Sequence, residues 1–161
     1  HLDRLAALIE RADLMIFPSL WEGLPGAVLD TQVVLDWLVF RDPTAAALEP
    51  AVTAGRWHWH ATADMRAELE QVLTYEVLSA WSPDVPAVLA HWERWARQVE
   101  PAPAPLSAGL RCTDPDDQKF IDLALQLGPC TLLSRDRALL RLARRASPWG
   151  VTILPPHRWQ P

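Results

Sequence analysis

Four acids in this 161-residue chain stand where carboxylates could do chemistry. Asp30 closes the short apolar run Ala27-Val28-Leu29, and Glu68 lies within a segment of helical periodicity. Asp117 falls where a helix should begin, and Asp136 follows the apolar pair Leu132-Leu133. If a fold gathered them, their like charges would repel. Burying them without a partner would cost several kcal/mol or force them to hold protons. A divalent cation removes that penalty. Mg²⁺ or Mn²⁺ prefers oxygen ligands, keeps several waters, holds a phosphate and lowers the pKa of a bound water. Phosphodiester hydrolysis is the reaction such a site serves. The competing account is solvation: the chain has 20 Asp and Glu residues, and capping at helix starts by itself explains Asp114, Asp116, Asp117 and Asp136.

The elements that must position these acids can be read in order. Ala27 to Asp30 predicts a buried strand that delivers a carboxylate at its C-terminal edge, and Val33 to Phe40 a helix. Asp42-Pro43-Thr44 is a turn or helix start, leading into the Ala-rich stretch Thr44 to Ala54 and a stop at Gly55. Arg56 to Ala61 predicts a second strand. Thr62 to Leu73 predicts a helix, capped by Thr62 or Asp64, with Met65, Leu69, Val72 and Leu73 on one face. Val77–Trp81 and Val85–Val99 predict further helical stretches, broken at Ser82-Pro83. Pro101 to Pro105 reads as a stiff connector. A helix over Asp116 to Leu127 closes at Gly128. It is followed by a strand at Leu132-Leu133, a helix from Asp136 to about Arg145, and a last strand over Val151 to Leu154. Strands alternating with helices predict an α/β domain whose mostly parallel central sheet has helices on both faces, with ligands at the carboxyl ends of the strands.

With the motifs in place, a family resemblance emerges over about Ala27 to Pro156. The chain resembles the PIN domain, specifically its group of bacterial toxin components. Ala27-Val-Leu-Asp-Thr-Gln-Val-Val-Leu-Asp36 is similar to the family's opening strand, in which apolar residues lead into Asp-Thr-Asn. Arg66-Ala-Glu-Leu-Glu-Gln-Val-Leu73 resembles the helix that carries its Glu, in a register that selects Glu68 over Glu70. Asp114-Pro-Asp-Asp-Gln-Lys-Phe-Ile-Asp-Leu-Ala-Leu125 is the most specific piece. It points to Asp117, with Asp114 and Asp116 as neighbours. Thr131-Leu-Leu-Ser-Arg-Asp-Arg-Ala-Leu-Leu140 resembles the segment that ends the fourth strand. The resemblance implies a single nuclease domain over 27–156 in which Asp30, Glu68, Asp117 and Asp136 bind Mg²⁺ or Mn²⁺ and cut RNA. Thr31 would be a secondary polar contact, and Ser134 would orient water or phosphate. It also implies a toxin that forms a homodimer and is blocked by a cognate antitoxin. Where the family has Asn after Asp-Thr, this chain has Gln32. That departure supports an alternative, a scaffold that has lost catalysis and only binds RNA or protein.

Composition bounds these readings. A net charge of −5 argues against a protein that coats nucleic acid by bulk attraction. Residues 131–161 nevertheless carry six arginines against one acid, and Arg135, Arg137 and Arg141 are candidates for holding an RNA strand. No apolar run reaches the length of a membrane helix, and Cys112 and Cys130 fall in no metal-site spacing. A soluble, cytoplasmic protein is expected. His58 and His60 share a strand face at a metal-pair spacing, but no third His or Cys is near in sequence, so packing is the better account. The nine Trp residues are expected in the core or at interfaces, with Trp92 and Trp95 pointing to a protein contact. Residues 1–26 fall outside the PIN resemblance, and 157–161 read as a tail. Arg11 to Gly26 resembles instead the nucleotide-sugar-binding segment of a GT-B glycosyltransferase, and Glu22 and Asp30 keep the offset of its acidic pair. A glycosyltransferase-like nucleotide-sugar binder is therefore the further alternative. A misplaced start or a gene junction would account for such an extension.

Overall fold

A computed structural model describes residues 26–103 and 109–161. The stretch Arg11–Pro25 and the end of the Pro101–Pro105 connector lie outside the described residues. Five parallel strands form one sheet: β1 (Gly26–Leu29), β2 (His58–Ala61), β3 (Ala96–Gln98), β4 (Cys130–Leu133) and β5 (Val151–Leu154), in the order β3-β2-β1-β4-β5. Helices flank it: α1 (Thr31–Leu38), α2 (Leu48–Thr53), α3 (Ala63–Val72), α4 (Val85–Trp95), α5 (Gln118–Leu127), α6 (Arg137–Leu140) and α7 (Ala143–Ala146). This is the α/β architecture that the strand and helix alternation predicts.

The central strands are those most completely buried, with Thr131 of β4 as a buried polar residue among apolar ones. Ala27, Val28 and Leu29 of β1 and all four residues of β4 are buried, as strands covered on both sides require. From central β1 the chain builds outward through β2 to β3, then returns to the other side of β1 for β4 and β5. The order therefore reverses between β1 and β4. At such a point the loops leaving neighbouring strands diverge and open a crevice at their carboxyl ends. Asp30 follows β1 and Ser134 to Asp136 follow β4, so the fold itself brings these segments together. In register, Leu29 lies beside Leu133, and the Asp30 N–H donates to the Leu133 carbonyl at 3.1 Å.

Several expected boundaries change. The helix expected over Val85–Val99 ends at Trp95, and the chain turns at once into β3, which no turn residue announces. Ala96 pairs with Trp59 and Gln98 with Ala61, and the Val99 N–H donates to the Ala61 carbonyl at 2.8 Å. This edge strand exists because β2 offers an unpaired side, a long-range cause that local periodicity cannot report. The helix expected over Asp136–Arg145 is two short ones, because the Leu142 N–H tightens onto the Leu139 carbonyl at 2.9 Å. Thr44–Ala54 resolves into a 3-10 turn (Pro43–Ala45) followed by α2. Val77–Trp81 lies within the 3-10 segment Glu76–Trp81. The strand expected from Arg56 begins at His58, since the Arg56 and Trp57 N–H groups both return to the Ala51 carbonyl. The stop at Gly128 is as expected: φ is +82° there, a backbone that favours glycine.

Tryptophan builds much of the core. Trp59 projects inward from β2 and meets Trp37 and Trp92 edge to face, with ring centroids 5.5 and 4.7 Å away. The expectation that Trp92 marks a protein contact is thereby corrected, because Trp92 is buried against Trp59. Trp95 is partly buried against the same core, with Arg94 over its ring. Near the end of the chain Trp159 is buried, its ring against Trp57.

Candidate functional site

At the switch point a cavity of about 290 Å³ is lined by Asp30, Thr31, Gln32, Glu68, Asp117, Arg135 and Asp136. All four acids singled out from the sequence therefore face one space. Carboxylate oxygens of Asp114, Asp117 and Asp136 lie within 4.8 Å of one another. Asp30 and Glu68 line the cavity with Asp117 and Asp136, whereas Asp114 stands just outside the lining. Asp116 is exposed, outside the cavity lining, as are Arg137 and Arg141.

Capping explains part of this arrangement. Asp30 Oδ1 accepts from the Val33 N–H at 2.9 Å and starts α1. Asp136 Oδ1 accepts from Ala138 at 2.7 Å and starts α6, while Asp114 Oδ1 accepts from Asp116 at 3.0 Å. Asp117 differs. It precedes α5 but makes no side-chain capping bond, and its Oδ2 is buried without a hydrogen-bond partner. A buried carboxylate oxygen left open in this way is a cost that the local backbone does not repay. Burial is the largest cause raising the Asp117 pKa from 3.8 to about 7, followed by hydrogen bonding with Asp136 and the charges of Asp136, Asp114 and Asp30. Burial also raises Asp30 to about 6, against the lowering effect of its bonds from Ser134 and Val33. Near neutrality, with no cation, these acids compete for protons. A donor set of all-oxygen anions that repel one another, one with an open oxygen, fits a hard divalent cation.

Ser134 lies beneath the acids rather than among them. It is fully buried, donates its hydroxyl to Asp30 Oδ2 and accepts from the Asp136 N–H at 2.9 Å. With its hydroxyl committed to both acids, it positions them and does not face water or phosphate. Ser134→Ala should destabilise the metal-free protein by about 1–3 kcal/mol, because two buried polar groups lose their partner. Denaturant melts would show it, and an unchanged midpoint would remove Ser134 from this role.

Thr31 donates to Glu68 Oε1, joining α1 to α3. Gln32 Nε2 donates to Asp36 Oδ1 at 3.0 Å. Two partners were not apparent from sequence. Lys119 pairs with Glu68 Oε2, and the buried Asp36 pairs with Arg135, Nε to Oδ2 2.7 Å. Arg135, expected to hold RNA, is thus tied down, with Asp42 Oδ2 a further 3.5 Å contact and Thr44 accepting from its other end. The i,i+4 spacing of Gln32 and Asp36 was the legible sign of that network. His58 and His60 stack 6.4 Å apart outside the cavity lining, and burial lowers the His60 pKa to about 4.

The PIN-domain family pattern matches residues 26–138, from β1 through Asp136, the acid that follows β4. The chain belongs to the PIN-domain family. No curated protein sequence matches it. PIN domains are generally nucleases and typically bind divalent metals, and the matched span of this PIN domain contains every residue lining the cavity. Among the described residues, no helix is long and apolar enough to cross a membrane.

Proposed function

We propose that this PIN domain is a metal-dependent endoribonuclease, the toxin of a toxin–antitoxin pair. The observation that carries the reading is Asp117: a buried, uncapped carboxylate oxygen beside the oxygens of Asp114 and Asp136. Asp117 and Asp136 would hold Mg²⁺ or Mn²⁺, with Asp30 and Glu68 completing the set and Asp114 at its edge. When bound, such a cation neutralises charge on the phosphate and acidifies a water. The chain's own part is positional. Ser134 and the Val33 N–H fix both oxygens of Asp30, Thr31 fixes Glu68, and the start of α6 fixes Asp136. The exposed Arg137 and Arg141 then follow Asp136 on the same segment, where they can meet the RNA backbone. A homodimer and an antitoxin that covers the acidic cavity complete the proposal, on the strength of the family resemblance.

The test is cleavage of a mixed-sequence single-stranded RNA by purified protein with Mn²⁺ or with EDTA. Cleavage that requires the metal is expected. If the protein binds RNA but cuts none with Mn²⁺, it is the inactive scaffold, and Gln32→Asn becomes the variant to make. Stabilisation by a nucleotide sugar, with none by Mn²⁺, would favour the glycosyltransferase-like alternative.

A further inference from the structure

Lys119 belongs to none of the roles assigned above, yet its ammonium reaches Glu68 Oε2. Its position is electrostatically unfavourable for the helix that carries it. Lys119 is the second residue of α5, and a cation in a first turn meets the positive end of the helix dipole. The ammonium lies 5.0 Å from the centre of the Phe120 ring and also donates to the Asp116 carbonyl at 2.5 Å. These contacts hold it on the acidic side. Lys119 does not itself line the cavity; Glu68, between Lys119 and Thr31, does. Among the described residues, Lys119–Glu68 is the ion pair that engages an acid of the cavity.

We propose that Lys119 is a positioning residue that acts through Glu68 as the resident counter-ion of the pocket, competing with the divalent cation for that carboxylate. The proposal rests on the metal reading above. A carboxylate has about four lone-pair directions, so Glu68 can keep Thr31 and still face a cation. The ammonium nonetheless takes part of its charge. In the metal-free protein the pair relieves repulsion among the acids. In the loaded protein it holds the affinity below what the bare acids would give, a trade of affinity for a pocket that folds without metal.

The experiment is Mn²⁺ titration, followed calorimetrically, on the wild type, Lys119→Met, Lys119→Arg, Glu68→Gln and the Glu68→Gln/Lys119→Met pair. Lys119→Met should bind Mn²⁺ about 3- to 10-fold more tightly, as expected from losing one partly exposed pairing. Lys119→Arg should stay within about twofold of wild type by this same reasoning. On the Glu68→Gln background, Lys119→Met should change the affinity little, since its route of action is gone; that double variant also lacks the unpaired charge that could hinder folding. Weaker or unchanged Mn²⁺ binding by Lys119→Met overturns the proposal. So does an equal gain with and without Glu68, which would make the effect a general field. Absence of Mn²⁺ binding by the wild type would overturn the metal reading and this proposal together, whereas binding that ignores Lys119 overturns this one alone.

Discussion

Asp117→Asn is expected to lower RNA cleavage by about 100- to 1000-fold while raising the melting temperature of the metal-free protein. The two halves have one cause. Asp117 sits half-buried against Asp136, with Asp114 and Asp30 adding negative charge and its own Oδ2 unpartnered. A metal site losing one anionic ligand forfeits several kcal/mol of transition-state stabilisation, and each 1.36 kcal/mol is about tenfold in rate. Without metal that anion is a liability. An amide of the same shape carries no charge and can donate to Asp136, a gain that solvent screening holds to about 1 kcal/mol, or about 2–4 °C. The pH dependence has a definite sign. In the fold Asp30 and Asp117 keep protons up to about 6 and about 7, whereas in the unfolded chain both release them near 3.8. Between those limits the native state holds more protons, so the metal-free protein loses stability as pH rises from about 4 to about 7. The Asp117→Asn variant should flatten that fall, leaving only the part due to Asp30. Mn²⁺, which displaces protons, should stabilise the wild type more at pH 8 than at pH 5. Differential scanning calorimetry at the two pH values reads all of this. An Asp117→Asn protein that cuts RNA normally, or that melts lower at pH 8 without metal, would overturn the assignment.

How much of this was legible depends on whether each cause was local. Asp30 and Asp136 could be placed because each follows a buried apolar run, and parallel sheets put such residues at one edge. The α5 segment was legible at both ends, through its acids and Gly128. The strand β3 was not, because Ala96-Arg97-Gln98 has no alternation of its own and is extended only because β2 pairs with it. The split between α6 and α7 follows from packing rather than from a breaker residue. The roles of Lys119 and Asp36 were hidden for the same reason, since their partners Glu68 and Arg135 lie far off in sequence. Lys119 left a faint sign: a cation where a helix start disfavours one. Capping, the rival explanation for Asp114, Asp116, Asp117 and Asp136, proved correct for one oxygen each of Asp114 and Asp136 and fails at Asp116 and Asp117, while Asp30, for which it was not invoked, does cap its helix. The sequence could not separate those cases, because capping and metal binding select the same residue type at the same place.

Arg135→Ala is expected to cost about 2–3 kcal/mol of stability, more than the loss of either exposed arginine beside it. Asp36 is buried, and the guanidinium is its ion-pair partner at 2.7 Å, with Gln32 bonding only the other oxygen. Removing one member of a buried pair strands the other charge, typically at 3–5 kcal/mol. Arg135 is one-third exposed, with a relative side-chain accessibility of 34%, so water reaching the gap reduces the loss. Pairing Arg135→Ala with Asp36→Leu should recover most of the stability, since an apolar replacement of both members is often neutral. A strand-holding arginine would behave differently. Its alanine variant would melt normally, bind RNA more weakly and reduce the salt dependence of binding by about one phosphate contact. That is the result expected for Arg137→Ala and Arg141→Ala, whose stability should stay within about 0.5 kcal/mol of wild type. Urea melts of the three variants, with RNA affinity measured at two salt concentrations, separate the strut from the clamps. If Arg135→Ala melts like the wild type but binds RNA weakly, the Asp36 pair is incidental and Arg135 rejoins Arg137 and Arg141 on the RNA-binding face.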